Sequence, residues 1–236
     1  MNSLAQLHFS QAAEYLVPVL LHGFAVVIQA TILGFILATV IGMLIAVGRL
    51  FAWKFIRAGL YAFLEIIRGT PLLVQLVYIY YVVPLLCNLV ASFFGFKTDV
   101  QIEPLTAGIV GLGINYGCYM SEVIRAAIVA VDPGQTEAAL VLGFGRYEAL
   151  FRIVLPQAIR SIVPSLGNYL VMMVKDTSLL AYVAVNELLL RTQTFASQTF
   201  FTIESYTYLA LAYLVISVPL SHAVKLVEYK LKAVRR

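Results

Sequence analysis

Polar and apolar residues are unevenly spread along this chain: long uncharged intervals alternate with short clusters of Arg, Lys, Glu and Asp. Tyr15 to Gly48, Gly69 to Phe96, Pro104 to Ser121 and Ser205 to Val224 carry no charged side chain. Each interval approaches or exceeds the ~20 residues that a helix needs to cross bilayer hydrocarbon. A fifth crossing is read between Ser161 and Asn186, where Lys175 and Asp176 interrupt an otherwise apolar run. Backbone hydrogen bonds cannot go unmade in lipid, and runs this long with so little alternation predict helices rather than barrel strands. The expectation is an all-α membrane protein with five transmembrane helices. Residues 1–236 form one transmembrane domain, with a polar loop at about 126–161.

That loop has a helical pattern of its own. Asp132 can cap a helix N-terminus, Pro133 suits the first helical position, and Gln135 stands where a capping-box partner would. The pattern predicts a helix from Pro133 to about Phe144. On it Ala139 and Gly143, four residues apart, share a face free of bulky side chains that another surface can approach closely. Gly145 is expected to end this helix and a second to begin near Arg146. In the second, Tyr147, Leu150, Phe151, Val154, Leu155 and Ala158 form an apolar stripe, with Glu148 and Arg152 as an outward i,i+4 pair. Pro156 cannot donate to the carbonyl of Arg152, so a bend is expected there. The plain reading of the passage is an ordinary amphipathic loop; the capped start and the small-residue face set it apart.

Composition agrees with the pattern. The chain is 61% hydrophobic and 12% charged, with a mean hydropathy of +0.92, values of the membrane class. Of 16 basic residues, twelve fall on one predicted side: Arg49, Lys54, Arg57, then Arg125, Arg146, Arg152, Arg160, then Lys225, Lys230, Lys232, Arg235 and Arg236. Only Lys97 and Arg191 fall on the other, while Arg68 and Lys175 lie in or near spans. The positive-inside rule therefore puts the N-terminus outside and the C-terminus in the cytoplasm, a parity that five crossings satisfy. The pI near 9.0 is then a signature of topology and of anionic lipid, and nucleic acid is not implied as a partner. No basic segment precedes the first apolar run, which is too long for a signal-peptide core and reads as an uncleaved helix. Cys87, Cys118, His8, His22 and His222 are scattered, without metal-ligand spacing.

The polar residues inside spans are the candidates for a translocation pathway. Glu65 and Arg68 are three apart and can pair locally, and Gly69 and Pro71 weaken the same turn, so the second span is expected to kink there. Lys175 and Asp176 cost ~2.5–3.5 kcal/mol each at a helix centre on insertion scales, so each must face protein or water. Neighbours on a helix point ~100° apart, so each is expected to find a partner other than its neighbour. Asn115, Asn168, Thr177 and Ser178 add polar groups at depth, where interhelical hydrogen bonding competes with a pathway role. Tyr78, Tyr80 and Tyr81 read first as an interfacial aromatic belt.

Several of these residues carry a family resemblance. Glu137-Ala138-Ala139, Gly143, Ile153 and Leu155-Pro156 resemble the EAA loop of ABC-importer permease subunits, the segment that inserts into a groove of a cytoplasmic ATPase. Arg68-Gly69-Thr70-Pro71-Leu72-Leu73-Val74-Gln75, Tyr119 to Arg125, Leu155 to Arg160 and Lys175-Asp176-Thr177-Ser178-Leu179 are similar to the polar amino-acid branch, with its histidine, arginine, glutamine and cystine importers. The likeness runs from the first span to about Leu190. Cys118 stands where a small residue is commoner.

The resemblance implies a type I ABC importer permease fold, with Glu137, Ala138, Ala139, Gly143 and Pro156 coupling it to the ATPase. It also implies the partners: two ATPase subunits, a second permease subunit that is identical or related, a periplasmic or lipid-anchored binding protein, and an amino-acid substrate. The location would be the inner membrane of a bacterium. No glycine is followed by lysine, so a Walker A loop is absent from the chain. ATP and Mg²⁺ are then expected on the partner, and no catalytic residue or cofactor on this chain. Three rivals make different demands. An ion-coupled secondary transporter would use Lys175 and Asp176, a passive channel would pass flux without ATP, and a membrane scaffold would bind partners without transport. The odd number of crossings argues against a secondary transporter built of two equal halves.

Overall fold

The computed structural model describes residues 7–233. Arg235, Arg236 and the side chain of Lys232 from the basic tail lie outside that description. The chain is helical almost throughout: α1 (Phe9–Phe51), α2 (Lys54–Arg68), α3 (Leu72–Val77), α4 (Val83–Phe93), α5 (Pro104–Val129), α6 (Pro133–Val141), α7 (Arg146–Ala149), α8 (Leu155–Asp176), α9 (Leu188–Thr199) and α10 (Thr202–Ala233). A π-helical turn, Tyr78–Val82, joins α3 to α4; another, Leu150–Val154, joins α7 to α8; and a 3₁₀ turn, Thr177–Val183, extends α8. Each π turn lies just before a proline, Pro84 or Pro156. The missing proline N–H frees the carbonyl four residues back, at Tyr80 and Arg152, and the widened turn absorbs the mismatch. The bend expected at Pro156 takes this form.

Four helical stretches are long and apolar enough to cross a membrane: Phe9–Phe51, Leu72–Phe93, Arg146–Val183 and Thr202–Leu231. They cover four of the five expected crossings. The fifth, Pro104 to Ser121, is helical as α5, whose 26 residues span about 39 Å, but it is not in that apolar set. Its surroundings explain why. α5 runs through the middle of the bundle against α1, α2, α3 and α8, so much of its surface meets protein, and glycine, asparagine, tyrosine and serine are tolerated among its buried positions.

α1 is apolar on all sides, as a helix shared between protein and lipid must be. Its small residues at Ala30, Gly34, Ala38 and Gly42 form one buried stripe that meets Gly117 of α5, while Gly113 lies against Leu37. A Cβ on Gly117 would lie 2.8 Å from Cγ2 of Ile41 and 3.1 Å from the carbonyl of Ala38, so the backbones approach as closely as small-xxx-small pairs allow. Around this seam Ala38, Leu112, Met120, Ile124, Leu166 and Met173 build the main core. A second core joins Leu16, Leu20 and Val27 of α1 to Val174, Leu188 and Leu209.

The second expected span begins lower than anticipated. α2 already forms from Lys54, stops at Gly69 and restarts at Leu72, so the anticipated kink is a full break at Gly69–Pro71. After α8, Ala184 takes a left-handed φ of 60° at the end of the 3₁₀ turn, and Glu187 caps α9 through bonds from the N–H groups of Leu189 (2.8 Å) and Leu190 (2.9 Å).

Candidate functional site

The loop between α5 and α8 starts as anticipated. The Asp132 carboxylate accepts from Gly134 N at 2.9 Å, and Pro133 opens α6. Gln135 does not complete a capping box; its Oε1 accepts from Nε2 of Gln157 at 3.3 Å, which pins the loop to the first turn of α8. α6 ends at Val141, short of the expected Phe144. The cause is Gly143, which takes a left-handed φ of 88°, with Gly143 N bonded to Leu140 O and Phe144 N to Ala139 O.

This corrects the anticipated docking face. Gly143 lies beyond the helix and shares no face with Ala139. Ala139 itself is 1% exposed, while α6 packs on the Leu150–Val154 turn. Glu137 and Ala138 are exposed, and the protruding tip is apolar: Val141 is 87% and Leu142 76% exposed. In the second helix Leu150, Val154 and Ala158 are buried, but Tyr147 and Phe151 of the expected stripe are exposed. Glu148 and Arg152 pair at 3.1 Å as anticipated.

Inside the bundle, the polar residues form links that fan out from α5. Arg68 bypasses Glu65 and lies 3.6 Å from Glu122 on α5. Among the described residues no ion pair includes Glu65, which is exposed. Glu122 also accepts from Arg49 at 2.6 Å and lies 3.5 Å from Arg125, so one carboxylate serves three guanidinium groups. Arg49 sits 4.2 Å over the Tyr61 ring and Arg68 5.6 Å from that of Tyr119. Asn115 is buried and donates to Oε1 of Gln75 at 3.1 Å. Asp176 accepts from the Tyr116 hydroxyl at 2.7 Å, which is the separate partner anticipated for it.

The remaining candidates divide into two groups. Thr177 and Ser178 donate to Val174 O and Lys175 O in their own helix, and Thr177 is fully buried. Asn168 and Lys175 are exposed, and among the described residues no side-chain partner is seen for either. With Ser161, Ser165 and Met172 they follow alternating steps of four and three residues along one face of α8. No metal-binding cluster of His, Cys, Asp or Glu occurs among the described residues.

Arg49, Gln75, Tyr116 and the bridging role of Glu122 went unforeseen. For Gln75 a local signal existed: an amide four residues after a proline can reach the carbonyl that the proline leaves free. Arg49 and Glu122 are separated by 73 positions, and no local pattern links them.

Comparison with known proteins is consistent over most of the length. The family described as "Binding-protein-dependent transport system inner membrane component" matches residues 38–233. The chain is 33% identical over 216 residues to the glutamine transport system permease protein GlnP of Escherichia coli (strain K12), covering 92% of this chain and 94% of that one. It is 35% identical over 176 residues to the L-cystine transport system permease protein TcyB of Bacillus subtilis (strain 168), covering 75% and 70%. A crystal structure of an amino acid ABC transporter with histidines superposes with a TM-score of 0.80 at 33% identity, over 94% of this chain and 98% of that one. The MetNI methionine ABC transporter in an inward facing conformation shares the fold, with a TM-score of 0.62 at 17% identity over 92% and 98%.

Proposed function

The chain belongs to the binding-protein-dependent transport system inner membrane components, and from that premise we propose that it is the pathway-forming permease subunit of an ATP-driven importer for a polar amino acid. Permeases of amino-acid ABC transporters are its relatives over most of its length, and its place is the inner membrane. The finer reading has α5 as the fifth crossing, N-terminus outside, C-terminus in the cytoplasm, and residues 126–161 as the coupling loop. Glutamine and cystine, named for its relatives, are the first substrates to try.

The observation that carries the reading is the shape of that loop. A helix of nine residues is fixed at its base by the Asp132 cap and the buried Ala139, and it ends in an exposed Val141-Leu142 tip turned by Gly143. Among the described residues nothing covers this apolar knob, and it suits a groove on a separate ATPase. Glu137 and Ala138 flank the contact, Gly143 shapes it, and Pro156 with its π turn sets the angle at which the loop rejoins α8. ATP and Mg²⁺ would be held by two copies of that ATPase.

The pathway side follows from Asn168 and Lys175. Lys175 lies exposed in the last turn of α8, and a charged side chain at membrane depth is costly against lipid, so this face of α8 meets water or a second permease subunit. ATP binding would favour one packing of the bundle and hydrolysis release it, alternating access to a path along this face. A periplasmic or anchored binding protein would deliver the substrate. The ion-coupled alternative gains nothing from the geometry, because Asp176 turns to Tyr116 while Lys175 is exposed.

The test is to purify the native complex, identify its subunits and screen amino acids for stimulation of ATP hydrolysis with the external receptor present. A polar amino acid should stimulate turnover. Uptake by the isolated chain driven by an ion gradient, or labelling of the 133–145 segment from the outer face, would overturn the reading.

A further inference from the structure

The break between α2 and α3 is spanned by one side chain. Pro71 has no N–H to give to the carbonyl of Ile67, and Nε2 of Gln75 donates to that carbonyl instead, at 2.7 Å. The same nitrogen lies 3.1 Å from Thr70 O and 2.9 Å from Thr70 Oγ1, whose own proton goes to Ile66 O. These acceptors fix the amide orientation: Oε1 in place of Nε2 would set lone pair against lone pair. Oε1 must then point to α5, where Asn115 Nδ2 donates to it.

α5 therefore holds both sides of the break. Above it, α3 is tied through Gln75 to Asn115 and packs so tightly that a Cβ on Gly111 would lie 2.5 Å from Leu76. Below it, α2 is tied through Arg68 to Glu122. Asn115 and Glu122 are seven residues apart, two helical turns or about 10.5 Å along one rigid element. That element continues, after Ala130–Asp132, into α6.

We propose that Gln75 and Asn115 are positioning residues for transport: they fix the angle of the broken second helix to α5, so that movement of the coupling loop is passed to that helix. This rests on the permease reading above. Without the amide link the break keeps its proline but loses its fixed angle, and loop movement is dissipated there.

The test uses the purified native complex in proteoliposomes, with L-glutamine and L-cystine as probes. Gln75→Glu keeps the volume and the acceptor for Asn115 but loses the donor to Ile67; Asn115→Ala removes the other half. Each should lower uptake per ATP hydrolysed by about tenfold, a typical coupling magnitude, and the double variant should be no worse than either alone. Equal loss of uptake and ATP turnover, or losses that multiply in the double variant, would overturn the proposal.

A second measurement does not depend on transport. Spin labels at exposed positions 62 and 78, on either side of the break and in a Cys87→Ser background, should give a broader distance distribution in Gln75→Glu than in the parent. An unchanged distribution overturns the proposal whatever the complex transports. A wild-type complex that transports neither probe, with the distribution broadened as expected, counts against the choice of substrate and not against the hinge.

Discussion

Replacing Gly117 with alanine tests whether the α1–α5 seam sets the core. The added Cβ would lie 2.8 Å from Cγ2 and 2.9 Å from Cβ of Ile41, and 3.1 Å from Ala38 O. Carbon atoms in contact prefer ~3.5–4.0 Å, so the helices must part by about 0.7 Å. A rotamer change cannot relieve the clash, because the Ile41 Cβ and the Ala38 carbonyl belong to the α1 backbone frame. Overpacking of this kind costs about 1–3 kcal/mol, while alanine regains up to ~1 kcal/mol of helix propensity over glycine. Gly59 supplies the reference: a Cβ there meets nothing within 4 Å, so Gly59→Ala carries the propensity gain alone. The difference between the two variants isolates the steric cost, about 1–3 kcal/mol. Gly42→Ala should fall between them, since its Cβ would meet Gly117 O at 3.1 Å. Unfolding of the purified chain in detergent, followed by circular dichroism, should rank Gly117→Ala below Gly42→Ala and both below Gly59→Ala. Equal stability of the Gly117 and Gly59 variants would refute a close-packed seam.

Other outcomes follow from the polar links and the loop. Glu122→Gln leaves Arg49, with 3% of its side chain exposed, without a carboxylate. It should cost about 2–3 kcal/mol, below the ~3–5 of a wholly buried pair because Glu122 is itself 29% exposed. Thermal unfolding measures it, and Arg49→Met in the same chain should recover part of the loss. Leu142→Asp should abolish co-purification of an ATPase while membrane abundance stays normal, because Leu142 is 76% exposed and outside the core. Lys175→Met should change stability by less than ~0.5 kcal/mol, as surface substitutions do, yet lower uptake of radiolabelled glutamine; unchanged uptake would remove Lys175 from the pathway.

The long helices were legible because lipid allows few alternatives: an uncharged interval of span length must become a helix. Charge spacing was less telling. Glu148 and Arg152 pair as i,i+4 neighbours on an exposed turn, where no stronger partner competes. Glu65 and Arg68, equally plausible by spacing, do not, because Glu122 on a helix far along the sequence lies where Arg68 can reach it. The loop start was readable from Asp132 and Pro133, whose cap is a local interaction. Its end was not, since Gly143 and Gly145 both could terminate a helix, and the chain stops at the first, whose left-handed turn lets Ala139 and Leu140 carbonyls be satisfied at once. The same choice turned Ala139 from a presumed contact surface into a buried anchor.

The distribution of polar residues over α5 bears on the proposed passage of movement through this helix. Its polar links reach different neighbours: hydrogen bonds join Glu122 to Arg49 on α1, Asn115 to Gln75 on α3 and Tyr116 to Asp176 at the end of α8, and a looser 3.6 Å ion pair joins Glu122 to Arg68 on α2. Interdigitated apolar packing resists both separation and sliding, because close-packed side chains transmit strain. A short hydrogen bond fixes direction as well as distance. α5 is linked to four elements at two levels, Asn115–Tyr116 and Glu122, and is glycine-packed against α1, so a shift of α5 strains all of them. Its central burial makes such polar side chains affordable, and those side chains in turn convert its displacement into one of the whole bundle.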